Sequence, residues 1–184
     1  MAGIPFVFAI QQCVEGVLWM SLLHPAWHRW EGAATYLFQV FAQVVWPVYI
    51  PLSILFFENS RSRQRMIFLL FLFGVGLSAC TCYYLYQYPV QAIAEHHHIR
   101  YEPGFPLAQK WYYGLLYFLP TILAPILSSV RHIRWLGYLF LFSYAVSRVL
   151  FHFYEISVWC FFGALISAMV LFIITRPLKM SDGV

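Results

Sequence analysis

Charge is what this chain has least of. Charged side chains make up 10% of its 184 residues, where a soluble domain carries roughly a quarter. A water-facing globular surface is therefore excluded. Aspartate occurs once, at Asp182 near the end, which excludes an aspartate-dependent hydrolase acting inside a bilayer. The order Ser-His-Asp, a glycine-rich phosphate loop and an HExxH pair are also missing. There is no internal repeat and no pair of interrupted helices of the kind many secondary transporters carry. The net charge of +4 sits in short loops, which is a pattern of membrane orientation and not of nucleic-acid binding. Four cysteines give no disulfide framework, so Cys13, Cys80, Cys82 and Cys160 read as free, buried thiols.

What is present is apolar. Hydrophobic residues reach 62% and aromatics 21%, with a mean hydropathy of +0.71. Several runs reach roughly 18 residues, enough to span a hydrocarbon core as helix. They are apolar all round and too long for barrel strands, so helices are favoured. The expected fold is all-α: a polytopic transmembrane bundle of six spans in one domain over residues 1–175, then a cytoplasmic tail, 176–184. The spans fall near 4–23, 33–57, 66–88, 110–129, 135–153 and 156–175. The first lacks the charged start and cleavage site of a signal peptide. Prolines 47, 51, 120 and 125 kink spans two and four and open room between helices. Residues 89–109 form the longest loop.

Orientation follows from the basic residues. Arg61, Arg63, Arg65, Arg131, Arg134, Arg176 and Lys179 fall on one side, and Arg29, Arg100 and Lys110 on the other. The positive-inside rule puts the first group in the cytoplasm, with both termini. The expected location is the inner membrane of the cell, multi-pass.

Polar residues gather in the outer half. Gln11, Gln12, Glu15 and Trp19 lie on span one, and Gln39 and Gln43 on span two. Tyr112 begins span four. Tyr144, Arg148 and His152 stripe span five, and Glu155 and Trp159 open span six. Glu15 lies about 12 Å and Arg148 about 9 Å below the outer ends of their spans. A charge at that depth costs at least a few kcal/mol, so the two are expected to pair. The set reads as an aromatic, polar pocket open to the outer face, and binding or transport of a small or amphipathic ligand ranks first. A membrane enzyme or haem or metal redox protein, using His152 and Glu155 one helical turn apart, ranks second. A structural subunit of a membrane complex ranks third, since interhelical polar groups also serve packing. His24, His28, His96, His97 and His98 are the candidates for a metal site. They lack zinc spacing and read better as a solvated tract, so no metal or cofactor is assigned. The partners expected are the bilayer and a small-molecule or lipid ligand.

Two stretches carry a resemblance. FAIQQCVEGVLW, Phe8 to Trp19, and YEISVWCFFGA, Tyr154 to Ala164, resemble motifs of an uncharacterised bacterial multi-pass membrane family, a domain of unknown function. The resemblance covers nearly the whole chain, and the pairing of QQ-x2-EG-x2-W with SVWCFF is what makes it specific. It implies interest in Gln11, Gln12, Glu15, Gly16, Trp19, Ser157, Trp159 and Cys160, and no established activity. Members of that family typically carry a further hydrophobic segment before the QQ motif. The start at MAGIPF resembles a shortened member, and a restored helix would make seven spans.

Overall fold

The computed structural model describes residues 3–108, 110–150 and 154–175, with the backbone alone at 111, 155 and 169–175. The chain opens with α1 (Gly3–Leu23). A 3-10 turn, Pro25–Trp30, starts at proline, whose missing N–H is tolerated in a first turn. It leads into α2 (Glu31–Gln39), a π-helical turn (Val40–Val45) and α3 (Trp46–Leu55) as one continuous rod. After α4 (Arg61–Gln87) come two strands, β1 (Val90–Glu95) and β2 (His98–Pro103). Then follow α5 (Trp111–Phe118), a second π turn (Leu119–Leu123) and α6 (Ala124–Leu127). Two long helices close the described chain, α7 (Arg131–Leu150) and α8 (Glu155–Thr175).

The prolines explain the π turns. Pro47 and Pro51 have no N–H to give, so carbonyls one turn earlier need donors from elsewhere. The Tyr117 hydroxyl donates to the Ala42 carbonyl, and Ser78 Oγ donates to the Val44 carbonyl at 2.7 Å. Beside these kinks the described side chains leave little room. A void of about 20 Å³ remains, against Phe8, Trp46, Tyr117 and Trp159. Closest approach comes at Gly74 of α4, where an added Cβ would lie 2.0 Å from the Pro47 carbonyl oxygen. Small residues at a helix crossing allow backbones to touch in this way.

The all-α expectation is corrected at residues 89–109. Val90, Ala92, Ile99 and Tyr101 alternate with exposed or half-buried neighbours, and all four are buried. That period of two is a strand signal, hidden in the sequence by the histidine tract between its halves. The strands pair antiparallel, with Glu95 opposite His98 and Ala92 opposite Tyr101. The two-residue turn places His96 at φ 55°, as the primed turns of tight hairpins require. The inward face joins Leu18, Ala34, Phe38, Ala42 and Cys160 in one core, where Tyr101 stacks on Phe38 at 4.8 Å. A second core lies at the opposite end, around Ile54, Ile67, Ala124 and Ile133.

Near that second core a clamp joins two loops. Glu58, 5% exposed, accepts from the Ser60 N–H at 3.0 Å, the Ser129 N–H at 2.7 Å, Ser129 Oγ at 2.5 Å and Ser128 Oγ at 3.1 Å. Arg63 Nη1 donates to the Leu127 and Ser128 carbonyls, and Arg134 Nε to that of Ser128. The loops read as merely basic are thus tied by a carboxylate.

The thiol reading is corrected too. Cys160 is buried, but Cys13, Cys80 and Cys82 are exposed on helix surfaces; all four are free. These surfaces are apolar, as on α4, where Phe68, Leu69, Leu72 and Phe73 are exposed.

Candidate functional site

A cleft of about 440 Å³ opens between α1, α8 and the hairpin turn. From α1 come Gln12, Glu15, Gly16 and Trp19, spaced i, i+3, i+4 and i+7, hence on one helical face. From α8 come Ser157, Val158, Phe161 and Phe162, and from the hairpin His97 and His98. The polar floor is the Glu15 carboxylate, 6% exposed. Ser157 Oγ donates to one of its oxygens at 2.5 Å and Gln12 Nε2 to the other at 3.2 Å.

Those donors correct the expected ion pair. Among the described groups, Glu15 is held by neutral Ser157 and Gln12 in place of Arg148, which lies exposed in the last turn of α7. A neutral hydroxyl is cheaper to bury than a guanidinium, and it satisfies a lone pair equally well. The hairpin sets the roof. His98 stacks on Tyr154 at 4.9 Å, and the Tyr154 hydroxyl donates to Glu95 at 2.9 Å. Glu95 and Glu102 both pair with Arg100 at 3.0 Å, which stiffens the two strands.

Tyr101 reaches in from the hairpin toward the same region. Burial pushes its phenol well above the usual range, and the nearby Glu15 and Cys160 push it the same way. Its hydroxyl is buried without a hydrogen-bond partner, a cost of about 1 to 3 kcal/mol. Tyr101→Phe is therefore expected to keep the Phe38 stack and to raise the melting free energy by about 1 kcal/mol. A thermal melt of the purified protein checks this, and a loss of stability would contradict it.

The other residues singled out from the sequence lie apart from the cleft. Gln11 accepts from Trp46 Nε1 at 2.7 Å, while Trp46 stacks on Phe8 at 3.9 Å. Gln39, Gln43, Tyr113 and Thr81 form a buried chain: Gln43 donates to Gln39, Tyr113 donates to Gln43 at 2.8 Å, and Thr81 lies 3.0 Å from the Tyr113 hydroxyl. This chain knits α2, α4 and α5 together. Trp159 packs edge-on against Tyr117 and Tyr144, at 5.5 and 5.3 Å. Tyr112 is 40% exposed in the first turn of α5. His152 and the Glu155 side chain lie outside the described residues. Sequence reasoning did not place Phe161, Phe162 or His97 beside Glu15. The i, i+4 spacing of Ser157 with Phe161 and of Val158 with Phe162 was the available signal.

His24 is exposed, and His28 Nδ1 lies 2.9 Å from Glu31, one turn along. Among the described residues, no group of three or more His, Cys, Asp or Glu side chains is positioned to hold a metal ion.

The described chain is thus mostly helical, with three helices long and apolar enough to cross a membrane: Gly3–Leu23, Pro25–Leu55 and Arg61–Gln87. Shorter apolar helices cover Tyr112–Leu127 and Ile156–Ala168. A family model described as Family of unknown function (DUF6629) matches residues 1–182, and the chain belongs to that family. No curated protein and no solved structure matches it.

Proposed function

We propose that this chain is a six-span integral protein of the inner membrane that binds, or carries across the bilayer, a small or amphipathic ligand in the cleft beside Glu15. The observation that carries the reading is the cleft itself. Its volume, about 440 Å³, lies in the range of small-molecule sites, and one buried carboxylate among aromatic walls is the composition such sites favour.

The orientation rests on which loops share an end. Arg63 and Arg134 converge on the carbonyls of residues 127–129, so the basic loops gather at one pole. At the hairpin pole, Arg100 is matched by Glu95 and Glu102. The Glu58 pole holds Arg61, Arg63, Arg65, Arg131 and Arg134 against Arg29, Arg100 and Lys110 at the other, and that excess of basic residues favours it as cytoplasmic, with the cleft in the outer half. Thiol labelling in sealed vesicles tests this: Asn59→Cys should react only from the cytoplasmic side and His97→Cys only from the other. The reverse pattern would overturn the orientation.

The ligand reading is tested by native mass spectrometry of protein extracted from its own membranes. A bound small molecule or lipid is expected on the wild type and its loss on Gly16→Leu, because a leucine there projects into the cleft. An added Cβ at Gly16 meets no atom within 4 Å, so the new side chain starts in open space. The same adduct on both proteins would count against the cleft.

A further inference from the structure

We infer that the ligand of the cleft is an amphipathic organic cation, an ammonium headgroup on an apolar tail. This rests on the ligand-binding reading and adds the sign and shape of the molecule bound.

Charge decides the sign. Among the described lining residues there is one carboxylate, Glu15, and neither lysine nor arginine. Ser157 and Gln12 fill lone pairs of that carboxylate, but a hydroxyl and an amide bring no net positive charge. Burial without a counter-charge disfavours the ionised carboxylate, and a cation at its open side restores that form. An anionic headgroup would disfavour it further.

The walls fit the same class. Trp19, Phe161 and Phe162 surround the floor, and aromatic faces attract ammonium groups through their quadrupoles. His97 and His98 line the mouth beside them. The tail follows from what borders the cleft. Phe161 is 52% exposed, Leu165 48% and Met20 41%, so the α1–α8 seam continues outward as apolar surface. A headgroup at Glu15 leaves its chain lying along that seam.

The test uses the full chain in dodecyl maltoside and three short probes of equal tail: hexyltrimethylammonium, hexyl sulfate and hexyl glucoside, each titrated by calorimetry. The ammonium probe is expected to bind about tenfold or more tighter than the other two. Glu15→Gln should erase that preference, and Gly16→Leu should remove binding of all three. Gly76→Leu, on α4 with open space around an added Cβ, is the control and should bind as wild type. Equal affinity for the three probes overturns the cationic assignment but leaves the cleft a ligand site. So does a preference that survives in Glu15→Gln. If no probe binds the wild type, or Gly16→Leu binds as well as it, the ligand-binding reading falls with the inference. Should Glu15→Gln fail to fold, the wild-type probe order and Gly16→Leu still decide both questions.

Discussion

Gly74→Leu is expected to abolish the folded protein, while Gly76→Leu, two residues along the same helix, leaves it intact. At Gly74 an added Cβ would lie 2.0 Å from the Pro47 carbonyl oxygen, 2.9 Å from its carbon and 3.2 Å from the Pro120 Cβ. Two of those atoms are a single backbone carbonyl and the third belongs to a rigid proline ring, so no rotamer relieves the contact. The α3–α4 crossing must open, and with it the Ser78 bond to the Val44 carbonyl. Overpacking of a close crossing costs about 1 to 3 kcal/mol and more when backbone must move. Even Gly74→Ala should lose about 2 kcal/mol on that scale. At Gly76 an added Cβ meets nothing within 4 Å, and the change should stay within about 0.5 kcal/mol. Thermal melting and size-exclusion profiles of the two variants give the comparison. Equal stability would show that the helices can separate freely at Pro47.

The second large effect belongs to Glu58. Glu58→Ala strands two backbone N–H groups and two serine hydroxyls at the junction of the loops, and should cost about 3 kcal/mol. The same site predicts a pH dependence. Burial alone would raise this carboxyl, but the hydrogen bonds from Ser129, Ser60 and Ser128 outweigh it and hold its pKa below the ordinary 4.5. A group whose folded pKa is depressed contributes stability that is fully present above the unfolded value. That contribution is lost as pH falls through the folded one. Wild-type stability should therefore decline below about pH 4.5, and Glu58→Gln should lack this part of the decline. Parallel slopes for the two proteins between pH 5 and pH 3, both of these being approximate settings around the reference pKa, would exclude Glu58 as the source.

Much of the helical architecture was legible. The bounds expected for the first and last spans differ from α1 and α8 by a single residue at their starts, because apolar runs and their flanking breaks are local properties. The four-residue spacing of Gln11, Glu15 and Trp19 was also legible as one face of one helix, although the cleft takes Gln12 in place of Gln11, which turns to Trp46. What faces that stripe was not. Ser157 lies 142 residues away, and nothing near either residue states that α1 and α8 are neighbours. Reasoning from charge supplied Arg148 as the partner, since opposite charges attract at any separation in sequence. The fold met the same demand with a hydroxyl, which burial penalises less. The hairpin was missed because the histidine tract drew attention from the alternation on either side of it.

By itself, then, the sequence determined that this protein is built of apolar helices, where they break and which of them carries the buried carboxylate. Composition and periodicity act over one or two turns, and they are written residue by residue. Tertiary structure alone decided that a hairpin roofs α1 and α8, that Gly74 must stay bare beneath Pro47, and that Glu58 ties two distant loops. Each depends on which surfaces meet across scores of residues, a choice made by packing and by the need to satisfy every buried polar group at once.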